Sequence, residues 1–132
     1  DMDRLFLDAN VLFSAAYGSP SLNRFWDLAS DKKVILLTSA HAIEEARRNL
    51  EEGSHLDRLE HLLTSIVTVP ETAAEAICPI SLDKKDIPVF MAALSSKATH
   101  FITGDIRHFG EYFSRQIEGL IVCAPGDYLK AR

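Results

Sequence analysis

The sequence predicts a three-layer α/β/α domain around a central, mostly parallel sheet of four to five strands. Short apolar runs of strand length recur along the chain, segments of helical length lie between them, and polar turn residues close most runs. Strands alternating with helices imply a parallel sheet covered on both faces, because a parallel pair needs a long crossover. In such sheets ligands collect at the carboxyl ends of the strands, where the strand order reverses.

Arg4-Leu5-Phe6-Leu7 reads as the first strand, closed by a polar turn at Asp8-Ala9-Asn10. Gly18-Ser19-Pro20-Ser21 punctuates, after which Leu22, Phe25, Trp26 and Ala29 recur at helical spacing. Val34-Ile35-Leu36-Leu37 is the second strand. Thr38-Ser39 supplies a cap for a helix that ends near Leu50, with Ile43, Ala46 and Leu50 as its apolar stripe. Gly53-Ser54 breaks it. Leu56, Leu59, Leu62 and Leu63 mark the next helix, which leads into the strand Ile66-Val67-Thr68-Val69 before Pro70. Residues 71–78 read as a short helix stopped by Pro79. Asp86, with Pro88 two positions on, opens a strongly apolar helix through Leu94. His100-Phe101-Ile102-Thr103 is the fourth strand, cut at Gly104-Asp105, and Leu120-Ile121-Val122-Cys123 is the fifth.

With 132 residues, 47% apolar and 25% charged, the chain suits one folded domain over residues 2–132. Cys78 and Cys123 form no C-x-x-C pair, which excludes a disulfide scaffold and suits a reducing, cytoplasmic setting. No apolar run reaches the ~20 residues of a membrane span, so no membrane role is expected. The net charge of −5 has the wrong sign for holding nucleic acid by charge alone. It does suit acids gathered around a cation, which reverses the local field.

Phosphate-loop, dinucleotide, nucleophile-elbow and H-E-x-x-H patterns are absent, and no two of the five histidines stand at i, i+4. Acidic oxygens remain. Asp8 follows the first strand and Asp105 the fourth. Asp86 starts a helix, and Glu44 and Glu45 lie on another. Each has a purely structural reading: a turn former at Asp8, helix caps at Asp86 and Asp105, a solvated face at the glutamates. Glu44 and Glu45 flank the apolar stripe at roughly 120° and 140° on opposite sides, so helical angle does not choose between them. Jointly the acids suit a hard divalent ion, which one carboxylate cannot hold but several converging ones can.

Leu5-Phe6-Leu7-Asp8-Ala9-Asn10-Val11-Leu12, Ser39-Ala40-His41-Ala42-Ile43-Glu44, Lys85-Asp86-Ile87-Pro88 and Thr103-Gly104-Asp105 together resemble the PIN domain, a family of metal-dependent nucleases. The resemblance spans nearly the whole chain in order and spacing. It implies Asp8, Glu44, Asp86 and Asp105 as catalytic ligands of Mg²⁺ or Mn²⁺, and its spacing from Ser39 selects Glu44. Asn10, Ser39 and Thr103 match supporting polar positions. Many members carry a further acid two residues after the last aspartate, where this chain has Arg107 followed by His108; both are candidate phosphate contacts.

The resemblance implies a ribonuclease whose metal acidifies a water for attack on an RNA phosphodiester. Size and layout resemble the toxins of prokaryotic toxin–antitoxin pairs, which implies an antitoxin partner and a homodimer. A non-catalytic PIN-like module binding RNA or protein is the alternative. The apolar helix after Asp86, with Leu22, Phe25 and Trp26, is expected to leave a hydrophobic patch for such partners. No aromatic stripe for stacking single-stranded bases is visible.

Overall fold

The computed structural model describes residues 2–71 and 77–132, so most of the short helix expected over residues 71–78 lies outside the described residues. A six-stranded sheet runs in the order β3-β2-β1-β4-β6-β5. Its strands are β1 (Asp3–Leu7), β2 (Val34–Ser39), β3 (Ile66–Val69), β4 (His100–Ile102), β5 (Gln116–Ile117) and β6 (Leu120–Cys123). The helices between them are α1 (Ala9–Ala16), α2 (Arg24–Ser30), α3 (Ala40–Asn49), α4 (Gly53–Leu63), α5 (Ile87–Ser95), α6 (Ile106–Phe109) and α7 (Pro125–Lys130).

Strand β1 pairs in parallel with β2 on one side and β4 on the other, with Leu5 opposite both Leu36 and His100. The chain builds outward from β1 through β2 to β3, then returns across β1 to lay down β4. The strand order therefore reverses between β1 and β4, and the crevice at their carboxyl ends is where ligands bind in such sheets. Five of the six strands are parallel; only β5 runs antiparallel, against β6.

Two local differences from the sequence reading have clear causes. Asp8 starts a helix rather than a turn: its backbone is extended and its carboxylate accepts from the Ala9 amide, so β1 passes directly into α1. The sixth strand is the two-residue β5, too short for a periodic signal. It is joined to β6 through Glu118 and Gly119, both at positive φ (50° and 90°), the conformation of a two-residue hairpin turn.

The core also fixes the site's frame. Phe6 of β1 stacks on Phe101 of β4 at 5.7 Å, and Phe90 of α5 meets Phe101 edge-on at 5.6 Å. Phe109 at the end of α6 packs on Phe101 at 4.9 Å. Such pairs add ~0.5–1.5 kcal/mol each beyond the area they bury. They tie α5 and α6, whose first turns carry Asp86 and Asp105, to the two central strands. Among the described residues the expected apolar patch on α5 is not found: Val89, Phe90, Met91, Ala92 and Ala93 are all buried within one chain, as is Phe25, while Leu22 and Trp26 are half-buried. The sheet and its neighbouring helices cover this helix on nearly every side.

Candidate functional site

Asp8 lies at the carboxyl end of β1, and its buried carboxylate is held by three donors. Oδ1 accepts from the Ala9 amide at 2.8 Å; Oδ2 accepts from Thr103 Oγ1 at 2.8 Å and from Asn10 Nδ2 at 3.1 Å. Burial nevertheless pushes Asp8 up to about 6, against these hydrogen bonds, and the charges of Glu45 and Asp86 raise it further. An acid held this way is costly for the fold.

Asn10 and Thr103 stitch the two strand ends together. Thr103, fully buried, donates to Asp8 and accepts from Asn10 Nδ2 and from the Asp105 amide, each at 3.1 Å. Asn10 Oδ1 accepts from the Gly104 amide at 2.7 Å. A Cβ on Gly104 would meet that same oxygen at 3.3 Å, so glycine allows the close approach. The network fixes the Thr103-Gly104-Asp105 loop against the start of α1.

Asp105 does cap α6, with Oδ1 accepting from the His108 amide at 3.1 Å, but this uses only one oxygen. Its Oδ2 faces His108 Nδ1 at 2.7 Å. Asp86 stands at the cap position of α5 without a side-chain capping bond. Its Oδ2 is buried with no hydrogen-bond partner, and burial raises its pKa, with the Asp105 and Asp83 carboxylates adding to the shift and His108 and Lys85 opposing it. The charges of Glu45 and Asp86 thus oppose the ionisation of Asp8, and those of Asp105 and Asp83 oppose that of Asp86.

The structure does not bring Glu44 to these acids. Its side chain is 63% exposed and pairs with Arg47 at 3.7 Å. Glu45 instead lines a cavity of about 300 Å³ with Ala9, Asn10, Phe13 and Asn49, beside Asp8. Where the resemblance selects Glu44, the roll of α3 against α1 thus turns Glu45, and not Glu44, toward Asp8. Ser39 is buried and serves as the N-cap of α3, accepting from the Ala42 amide at 3.3 Å. Arg107 is exposed on α6. Arg47 is bound in two-pronged fashion to Glu60 at 3.0 and 3.1 Å, which occupies its guanidinium.

Asp83 enters without having been singled out from sequence. It lies 3.0 Å from His108 Nε2, and Asp83, Asp86 and His108 offer ligand atoms all within 4.8 Å of one another. The spacings Asp83-x-x-Asp86 and Asp105-x-x-His108 were the available signal, since residues three apart share one side of a helical turn. The oxygen-rich donor set and the orphaned Asp86 oxygen suit a hard divalent cation. The imidazole of His108 faces carboxylates through both nitrogens, Asp105 through Nδ1 and Asp83 through Nε2.

The chain's fold is similar to that in the crystal structure of VapBC2 from Rickettsia felis bound to a DNA fragment from their promoter. The TM-score is 0.64 at 16% sequence identity, over 92% of this chain and 98% of that one. No curated protein sequence matches the chain. The sequence model of the PIN domain matches residues 4–107, the stretch that runs from β1 past Asp105 and carries every acid described above. By that match and by its fold, the chain belongs to the PIN domain family.

Proposed function

We propose that the protein is a divalent-metal-dependent ribonuclease, with Asp8, Glu45, Asp86 and Asp105 holding Mg²⁺ or Mn²⁺ at the carboxyl ends of β1 and β4. The observation that carries this reading is the line of opposed carboxylates, with Asp8 pushed up to about 6 and one buried Asp86 oxygen left without a partner. A fold keeps such a feature against its own stability where a ligand relieves it. A divalent ion there would supply Lewis acidity, lowering the pKa of a coordinated water toward neutrality and offsetting charge on the phosphate.

The chain's own residues do the rest. Thr103 and Asn10 hold Asp8 in one orientation, and the Asp105 cap fixes its carboxylate relative to α6. Lys84, Lys85 and Arg107, all exposed near Asp86 and Asp105, are placed to attract an RNA backbone to an otherwise acidic rim.

The likeness to a VapBC structure supports a toxin-like role in the cytoplasm with an antitoxin protein as partner. The buried α5 lends no support to a homodimer formed through that helix. None of the helices is long and apolar enough to cross a membrane among the described residues. The test is cleavage of a labelled single-stranded RNA in Mn²⁺ and in excess chelator. Cleavage only with the ion, leaving 5′-phosphate and 3′-hydroxyl ends, is expected. RNA binding without cleavage in any divalent ion would favour a non-catalytic module.

A further inference from the structure

We propose that His108 is a metal ligand through Nδ1 and that Asp83 is the outer carboxylate that orients it, so that the site selects Mn²⁺ over Mg²⁺. The inference rests on the metal-nuclease reading and names the ion preference of the same site.

Nδ1 of His108 lies 2.7 Å from Asp105 Oδ2 and 3.5 Å from Asp86 Oδ2. Around an octahedral ion with bonds of about 2.1 Å, neighbouring ligand atoms stand about 3.0 Å apart. The shorter contact is a hydrogen bond; an ion held by both carboxylates would take the place of its proton and bring Nδ1 and the two oxygens to that common spacing. The ring's other nitrogen, Nε2, lies 3.0 Å from Asp83 Oδ2. A metal-bound histidine characteristically donates its second N–H to a carboxylate, which fixes the tautomer and the ring plane. Asp83 is 61% exposed, so its charge stays solvated while Asp86 presents a buried, unpartnered oxygen to the ion.

Arg107 is exposed, and the next residue, His108, turns back into the cluster. A nitrogen ligand in place of a carboxylate changes the ion favoured. Mn²⁺ stands at the weak end of the first-row series but, as a transition ion, accepts an imidazole nitrogen more readily than Mg²⁺, which demands a near-ideal shell of oxygens.

The experiment adds MnCl₂ to the full chain and reads electron spin echo envelope modulation, with unlabelled and ¹⁵N-histidine-labelled protein. Thermal melts in graded MgCl₂ and MnCl₂ run alongside, for the wild type, His108→Gln, Asp83→Asn and Asp8→Asn. We expect a ¹⁴N modulation that changes to ¹⁵N on labelling and vanishes in His108→Gln. The Mn²⁺ concentration giving half the melting shift should lie about tenfold below that for Mg²⁺ in the wild type, with the gap closing in His108→Gln. Asp83→Asn should weaken Mn²⁺ binding about tenfold, the lower end for loss of an outer-shell partner. If His108→Gln does not fold, the labelled wild type decides, because among the described residues His108 alone of the histidines sits in such a cluster. Mn²⁺ binding that is lost in Asp8→Asn but shows no histidine modulation overturns His108 ligation and leaves the nuclease reading in place. No Mn²⁺ binding at all overturns both.

Discussion

Asp8→Asn should make the metal-free protein more stable at neutral pH while removing its activity. Asp8 is raised from 3.8 to about 6 in the fold, chiefly by burial, so the folded state keeps this proton after the unfolded chain has released it. Stability from this group is therefore greatest at low pH, falls as pH rises from about 4 to about 6, and stays low above that. The rise from 3.8 to about 6 corresponds to about 3 kcal/mol at neutral pH. Asparagine cannot ionise and carries no such slope. It keeps an oxygen for the Ala9 amide, but its NH₂ would face the donors Thr103 Oγ1 and Asn10 Nδ2, which costs about 1 kcal/mol for each bond lost.

The net gain in Asp8→Asn is about 1 kcal/mol at pH 7.5. The stability difference between variant and wild type should move by about 2 kcal/mol in the variant's favour between pH 4 and 7.5. Urea unfolding in chelator measures this, followed by the fluorescence of Trp26, the only tryptophan, which donates to Leu62 O at 2.9 Å. Parallel pH dependences for the two proteins would refute the claim that Asp8 is held ionised at a cost. In saturating Mn²⁺ the order should reverse, since an ion at a hundred times its Kd stabilises the wild type by about 2.7 kcal/mol and finds a weakened site in the variant.

Glu45→Gln should reduce RNA cleavage by about a hundredfold or more while Glu44→Gln changes it little, in keeping with the loss of a charge that faces the ion rather than one that faces solvent. Kinetics on both variants decide it, and the opposite ranking would restore Glu44 as the ligand. Thr103→Val should cost about 2 kcal/mol in urea unfolding, because it leaves the Asp105 amide and one Asp8 oxygen without their shared partner. A loss below about 0.5 kcal/mol would show that the loop is held by other contacts.

Much of this architecture is legible in the residues themselves. The five longer strands follow from apolar runs, and Asp8, Asp86 and Asp105 are visible because each stands at an element boundary that a parallel sheet brings to one rim. Helix α1 is not visible, because Val11, Leu12 and Phe13 follow the first strand with no break, and only the Asp8 cap marks the change of period. The choice between Glu44 and Glu45 depends on how α3 rolls against α1, which is a tertiary fact. The pairing of Asp83 with His108 joins the segment before α5 to α6 through the packing of α5 and α6 on β4. The apolar excess of α5 reads as a partner surface until the sheet is seen to cover it.

The most direct test of the central claim is the rate of RNA cleavage by Asp105→Asn in Mn²⁺, beside the wild type, with circular dichroism to confirm folding. Asn retains an oxygen for the His108 amide, so the cap and the fold should survive the change. It removes the anionic charge that would offset a divalent ion. The account predicts a folded protein whose cleavage falls at least about a hundredfold; a folded Asp105→Asn that cuts at close to the wild-type rate would contradict it.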